Sequence, residues 1–302
     1  MKSTRLAFEN FSGPFVTHGI DIVDDPERSG ALYIFAVNHL SNPEYFDTAT
    51  PSADIPKARS QIELFHHVLG SSSVRHIRSI FHPLVVTPND LYAESPTSVY
   101  VTNDHFYRQG LKRAFEDLVP AARWSNIIHL QLDGDKVHAT TALTGLHNNN
   151  GLGHGQSPDE ILICSAVGGT MYRARRVQDS DALEVVDEFR YDSTIDNPSF
   201  YADPHATEGD DASGYVQAGL RRAIDITHTH ADPQGRDGAM VWYTRRGRSG
   251  EWETKLLVED DGTMIRSASS AVLVPGESKG KALLFVSGFV SDSAIAMEVD
   301  LY

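Results

Sequence analysis

"SVYVTNDH", residues Ser98–His105, starts as a run of β-branched and aromatic residues and stops on an amide, a carboxylate and an imidazole. Such runs read as strands, and polar groups gathered at a strand end cost free energy to bury unless something satisfies them. Comparable runs recur at "ALYIFAVNH" (Ala31–His39), "EILICSAV" (Glu160–Val167), "AIDITHTH" (Ala223–His230) and "ALLFVSGF" (Ala282–Phe289). Their starts advance by 67, 62, 63 and 59 residues. Each is followed by a second strand-like run, in order "QIELFHH", "NIIHLQL", "MYRARRV", "AMVWYTRR" and "AIAMEVDL". Each is also preceded by a polar or small group leading into apolar residues: His18-Gly19-Ile20, Asn89-Asp90-Leu91, Asn150-Gly151-Leu152, Asp196-Asn197-Pro198 and Ser269-Ser270-Ala271.

One unit therefore reads as polar start, strand, turn, strand, loop, strand. Antiparallel sheets repeated at this spacing are expected of a β-propeller. A β-sandwich with long loops would give a similar periodicity. The fold class is all-β, with five blades countable and the whole of residues 1–302 expected as one propeller domain. A helix is expected at "GLKRAFEDLVPAA" (Gly110–Ala122), apolar at helical spacing and closed by Pro120. "ADPHATEGDDASG" (Ala202–Gly214) and "ADPQGRDG" (Ala231–Gly238) read as solvated loops, since they lack the alternating ligands of an EF-hand.

The 302 residues are 40% hydrophobic and 22% charged, ordinary for a globular protein, and carry a net charge of −15 with a pI near 5.3. That balance disfavours nucleic acid, which is bound through clustered Lys and Arg. Cys164 is the only cysteine, so no internal disulfide can form, and its place inside an apolar run reads as a buried strand thiol and not a nucleophile. The N-terminus lacks a signal-length apolar core, and no membrane-spanning run occurs. No export signal is expected of the chain as it stands, although Asn10-Phe11-Ser12 is a glycosylation triplet.

If strand starts converge on one axis, Asn103, Asn150 and Asn197 become neighbours, with Asp104 and Asp196 beside them. Each alone reads as a turn or cap residue. Together they make a hard oxygen site that suits Ca²⁺ far better than Zn²⁺. His18 opens the first unit and His39 closes its first long strand, so either imidazole could act as a general base near such an ion. His39 could equally cap its strand. His105, His228 and His230 are further candidates. His66, His67, His76, His82, His129, His138 and His147 read as surface or strand positions. The "THTH" pair resembles zinc-hydrolase ligands, but no further ligands follow His230.

"FVTHGIDI", "LYIFAVNH", "VTPNDLYAESPTSVYVTNDHFY", "NNNGLG" and "TIDNPSF" occur in an order that resembles the serum paraoxonase/arylesterase family. "TNDHFY" is the most specific of them, and with "SASSAVLV" and "KALLFVSGFVSDSAIAMEVDL" the likeness runs from about Phe15 to the end. The resemblance implies a six-bladed, calcium-dependent propeller that hydrolyses lactones and aryl esters. It implies that Asn103, Asn150, Asp196 and Asn197 hold a catalytic calcium, and that Asp104 and the carbonyl of Ile20 hold a second, structural one. It also implies that His18 and His39 form a pair that activates water, and loosely that His228 lines the channel wall. Family members carry a further N-terminal blade with a Glu-Asp pair, one ligand for each calcium. Only fourteen residues precede Phe15 here, so the first blade is expected to be missing or incomplete and the calcium affinity lowered.

The expected function is hydrolysis of a small-molecule ester or lactone, with Ca²⁺ polarising the carbonyl and the histidine pair activating water. The alternatives are a non-catalytic, calcium-stabilised propeller and a gluconolactonase-like hydrolase of sugar lactones. The compartment is left open. The resemblance implies a secreted or membrane-associated protein if the N-terminus is truncated.

Overall fold

A computed structural model describes residues 4–52 and 55–302. The chain divides into two compact units, Met1–Asn149 with Asp179–Ala182, and Asn150–Gln178 with Leu183–Tyr302. Apart from one short parallel edge strand, both are built from antiparallel sheets whose strands follow one another in sequence, the blade arrangement of a β-propeller. Five such sheets occur among the described residues, matching the five repeats counted in the sequence.

In the first unit, the first sheet comprises β1 (Ala7–Glu9), β2 (Thr17–Asp24), β3 (Ala31–Ser41), β4 (Ala58–Val68) and β5 (Ser73–Ile80), in the order β1-β5-β4-β3-β2. β1 joins the outer edge parallel to β5, Ala7 opposite Ser73. Phe8, Phe11, Phe15 and Phe65 pack ring on ring beneath it at 5.2–5.9 Å, an arrangement that aromatic quadrupoles favour. The connection after β3 holds a short helix, α1 (Pro43–Phe46), which Asn42 caps by accepting from the Glu44 N–H.

The second sheet comprises β6 (Pro88–Ser95), β7 (Ser98–Asn103), β8 (Ser125–Asp133) and β9 (Lys136–Leu146), in sequential order. All six residues of β7 are buried, so this strand shows no alternation. Phe35, Val37, Ile62, Leu64, Leu91, Val99, Val101, Ile128 and Leu130 form one core with it. Each such side chain contributes about 1.5–3 kcal/mol by leaving water. α2 (Leu111–Leu118) lies inside the expected helical stretch.

In the second unit, the third sheet comprises β10 (Asn149–His154), β11 (Glu160–Ser165), β12 (Thr170–Arg176) and β13 (Leu183–Arg190). The fourth comprises β14 (Pro198–Tyr201), β15 (Gly214–Leu220), β16 (Ala239–Arg246) and β17 (Trp252–Asp260). The fifth has three strands, β18 (Ala268–Pro275), β19 (Lys281–Gly288) and β20 (Ile295–Asp300). Cys164 is fully buried on β11, as the sequence led us to expect.

First strands of successive sheets lie side by side within each unit, and glycine permits it. A Cβ on Gly19 of β2 would collide with the Asn89 carbonyl and Asp90 of β6. A Cβ on Gly151 of β10 would collide with Asp196 and Asn197. Asn197 in turn bridges to Ser270 of β18 in parallel sense.

One expected strand is absent. "AIDITHTH" forms a 3-10 turn (Ala223–Asp225) and α3 (Ile226–Thr229). Arg222 pairs with Asp225 three residues on, Thr229 bonds the Asp225 carbonyl and His230 bonds the Ile226 carbonyl, all local contacts that compete with a ladder. Ile224, the apparent core residue, is 62% exposed. The strand of this repeat is β15, "GYVQAGL", where two glycines and a glutamine hide the apolar signal; Gln217 is buried against Met171.

Candidate active site

A cavity of about 340 Å³ in the first unit is lined by His18, His39, Ser60, Thr87 and Asp104 and by the cations Lys57, Arg108 and Arg113. Its size suits a small ligand. His18 reaches it because the β2–β3 ladder breaks register between Thr17 and Ile20. Such a bulge re-aims a side chain at a site. Nδ1 of His18 lies 3.1 Å from Nε2 of His39. Nδ1 of His39 in turn lies 2.8 Å from Oγ of Ser60, its facing residue on β4.

A buried network holds this pair. Oδ1 of Asn38 accepts from the Val16 N–H at 2.9 Å, and the His39 N–H donates to the Val16 carbonyl at 2.9 Å. Nδ2 of Asn38 donates to the Pro14 carbonyl and to Oε1 of Glu63. Glu63, with no exposure, also accepts from Gln61, His76 and Ser79 at 2.6–2.9 Å. Burial pushes the Glu63 carboxyl up, but these bonds outweigh it and leave the carboxyl below its ordinary value. Burial lowers His18, with Asp104 opposing, and lowers His39, with the neighbouring His18 adding to the effect. Both rings thus favour the neutral form, which can accept a proton.

Asp104 sits 3.0 Å from Nδ1 of His105 and 3.7 Å from Arg113. Burial raises this carboxyl, yet His105 and Arg113 hold it below the usual range. Nε2 of His105 also reaches Asp117 at 2.6 Å, and burial's downward pull on this imidazole is overcome by its two carboxylates. Asn103 ends β7 as expected, but its side chain is fully committed locally. Oδ1 accepts from the Val86 and Thr87 N–H groups at 2.7 and 3.0 Å, while Nδ2 donates to the Leu84 carbonyl and Oδ1 of Asn126, both at 2.8 Å. Ile20 stands on β2 one residue beyond the close approach at Gly19.

In the second unit, Asn150 lies on β10, and Asp196 and Asn197 lead into β14. Nδ2 of Asn197 donates to the Ser269 carbonyl and Oγ of Ser270, which leaves Oδ1 beside Gly151. The Asp196 carboxyl meets no cation or donor among the described residues, and burial pushes it up to about 7. A half-buried, uncompensated carboxylate beside amide oxygens is a donor set that fits a hard cation such as Ca²⁺. Asn103 and Asp104, in the first unit, are engaged by the partners named above. No group of three His, Cys, Asp or Glu able to hold a metal occurs among the described residues, so a cation here would lean on amide oxygens. His228, on α3, belongs to this second unit.

Ser60, Asn38, Glu63 and the cavity cations were not singled out from sequence; the strand register that brings the first three together pairs residues more than twenty positions apart, and the cations lie outside the strands. Several histidines read as surface or strand positions are enclosed and bonded, among them His67, His129 and His147. His129 shows triad-like spacing, with Oγ of Ser98 2.8 Å from Nε2 and Oδ2 of Asp181 3.2 Å from Nδ1. Ser98 is only 6% exposed and its hydroxyl also bonds Glu94, so the group ties strands together and does not face a substrate.

A family model described as Arylesterase matches residues 12–210, about two-thirds of the chain, including both histidines and every expected ligand. The chain belongs to the arylesterase family. Among curated arylesterase relatives, serum paraoxonase/arylesterase 2 of Gallus gallus is 24% identical over 265 residues, 88% of this chain and 65% of its own length. Serum paraoxonase/arylesterase 1 of Mus musculus is 23% identical over 263 residues, 87% of this chain and 64% of its own. This arylesterase-family chain thus spans just under two-thirds of these two relatives. Among solved structures, a luciferin-regenerating enzyme aligns over 95% of this chain and 91% of its own at 13% identity, with a TM-score of 0.44.

Proposed function

We propose that the protein hydrolyses small carboxylic esters or lactones at the cavity of the first unit. The observation that carries this reading is the His18–His39 pair, 3.1 Å apart and disposed to be neutral, opening on that cavity in a chain of the arylesterase family. His18 draws a proton from water as that water attacks the ester carbonyl, and His39, held by Ser60, receives the N–H of the His18 ring and steadies the cation that forms. General-base assistance of this kind is worth about 10²–10⁴ in rate. Asn150, Asp196 and Asn197 of the second unit are the residues that would hold Ca²⁺, a Lewis acid when bound. Membership in the family and the uncompensated Asp196 carboxylate support the calcium requirement.

Phenyl acetate hydrolysis tests the reading. Turnover should depend on added calcium, vanish in excess EGTA and fall at least about a hundredfold in His18→Gln. Full rates in EGTA would remove the calcium requirement, and an unaffected His18→Gln would remove the mechanism. A second reading, a calcium-stabilised scaffold without activity, draws support from the Asn103 oxygen being already engaged by two backbone N–H groups. Calorimetry separates it: a scaffold binds calcium and gains thermal stability, yet turns over neither phenyl acetate nor a lactone.

A further inference from the structure

The charge lining the cavity is opposite in sign to the protein. The chain carries −15 overall, yet among the described residues the charged groups around the histidine pair are Lys57, Arg108 and Arg113 against the single carboxylate of Asp104. Asp104 is already matched, 3.7 Å from Arg113 and 3.0 Å from His105, and Arg113 also lies 3.8 Å from Asp117. Arg108 and Lys57 are the surplus. Nε of Arg108 donates to the Val86 carbonyl at 2.9 Å, which fixes the guanidinium at the wall, and no carboxylate among the described residues comes within ion-pair distance of it. Lys57 likewise has no ion-pair partner among the described residues, and its ammonium lies 5.7 Å from the Tyr45 ring.

We infer that the cavity selects substrates that are themselves anionic, small esters or lactones carrying a carboxylate, held by Arg108 and Lys57. A guanidinium offers a planar fork of donors to a carboxylate, whereas the lysine acts as a mobile point charge. Both side chains are exposed at the cavity, so their attraction for an anion is screened by water and salt. The lowered basicity of Arg108, caused by burial without a counter-charge, supports the assignment. A cationic pocket on an anionic protein also concentrates the field for an incoming anion, so association weakens with salt. The inference rests on the hydrolase reading for its chemistry and not for its binding.

The test compares para-acetoxybenzoate with its neutral methyl ester, which share the scissile acetyl bond. The kcat/KM ratio of anion over neutral ester should exceed one, fall about tenfold in Arg108→Gln and less in Lys57→Gln, and collapse at roughly 0.5 M NaCl. A ratio at or below one that neither variant changes overturns the anion inference while the hydrolase reading stands. If neither ester is turned over, binding of para-hydroxybenzoate by calorimetry decides. Saturable binding weakened in Arg108→Gln retains the anion site and overturns the hydrolase reading; no binding overturns the anion site too.

Discussion

His39 and Ser60 face each other across the antiparallel β3–β4 ladder, and Nδ1 of the imidazole lies 2.8 Å from Oγ of the serine. The serine therefore sets which nitrogen of His39 faces His18, and so whether that ring can receive the His18 N–H. Ser60→Ala should lower kcat about five- to tenfold with little change in KM, as expected for one hydrogen bond worth ~1 kcal/mol, and Ser60→Thr should recover much of the loss. Phenyl acetate kinetics on the two variants check this; a change confined to KM would mean Ser60 touches substrate instead.

Gly19 bears on the same histidine from the backbone. A methyl group there would meet the Asn89 carbonyl and Asp90, atoms that a strand cannot move aside cheaply. Gly19→Ala should cost about 1–3 kcal/mol by overpacking. Thermal unfolding measures the cost, and turnover should fall together with it because His18 adjoins the displaced residue.

Glu63 gives an acid-dependent stability. Its folded value lies below the ordinary one, so its contribution is complete above the unfolded value of about 4.3 and drains away as pH falls through the folded value. Replacing it by glutamine should cost roughly 2–4 kcal/mol at neutral pH, where a buried charged hub loses its bonds. The gap between the wild-type and Glu63→Gln melting temperatures should narrow as pH falls below about 4.3; an equal gap at every pH would contradict this.

Asp196 predicts the opposite slope. Its folded value is near 7 against an unfolded value of about 3.9, so in chelator the folded state is penalised progressively as pH rises between those values. Asp196→Asn should then melt higher than wild type at about pH 8 and no higher at about pH 4. Added calcium should raise the wild-type Tm and have a smaller effect on the variant. A calcium response undiminished in Asp196→Asn would take this residue out of the ligand set.

The repeat was readable because its markers are local. His18-Gly19-Ile20, Asn89-Asp90-Leu91, Asn150-Gly151-Leu152, Asp196-Asn197-Pro198 and Ser269-Ser270-Ala271 all lie in or at the first strands of the five sheets. The His18–His39 pairing was legible from a family resemblance. "AIDITHTH" misled because β-branched residues dominate it, while the Arg222–Asp225 pair and threonine-to-backbone bonds that close it into a helical turn leave no periodic trace. Asn103 was correctly placed at the end of β7, but its four bonds depend on how residues 84–87 fold back, which spacing does not encode. The excess of cations around the histidines was hidden for the same reason, since Lys57 and Arg108 come from connections far apart in the chain and from sequence surroundings unremarkable in charge.

Cys164 lies in the middle of the third sheet, opposite Met171. With a single thiol, heating and cooling cannot trap the chain in mispaired covalent forms. Modification of that sulfur by an added reagent must wait for the strand to separate, so its labelling rate is a built-in stopwatch for the opening of this sheet.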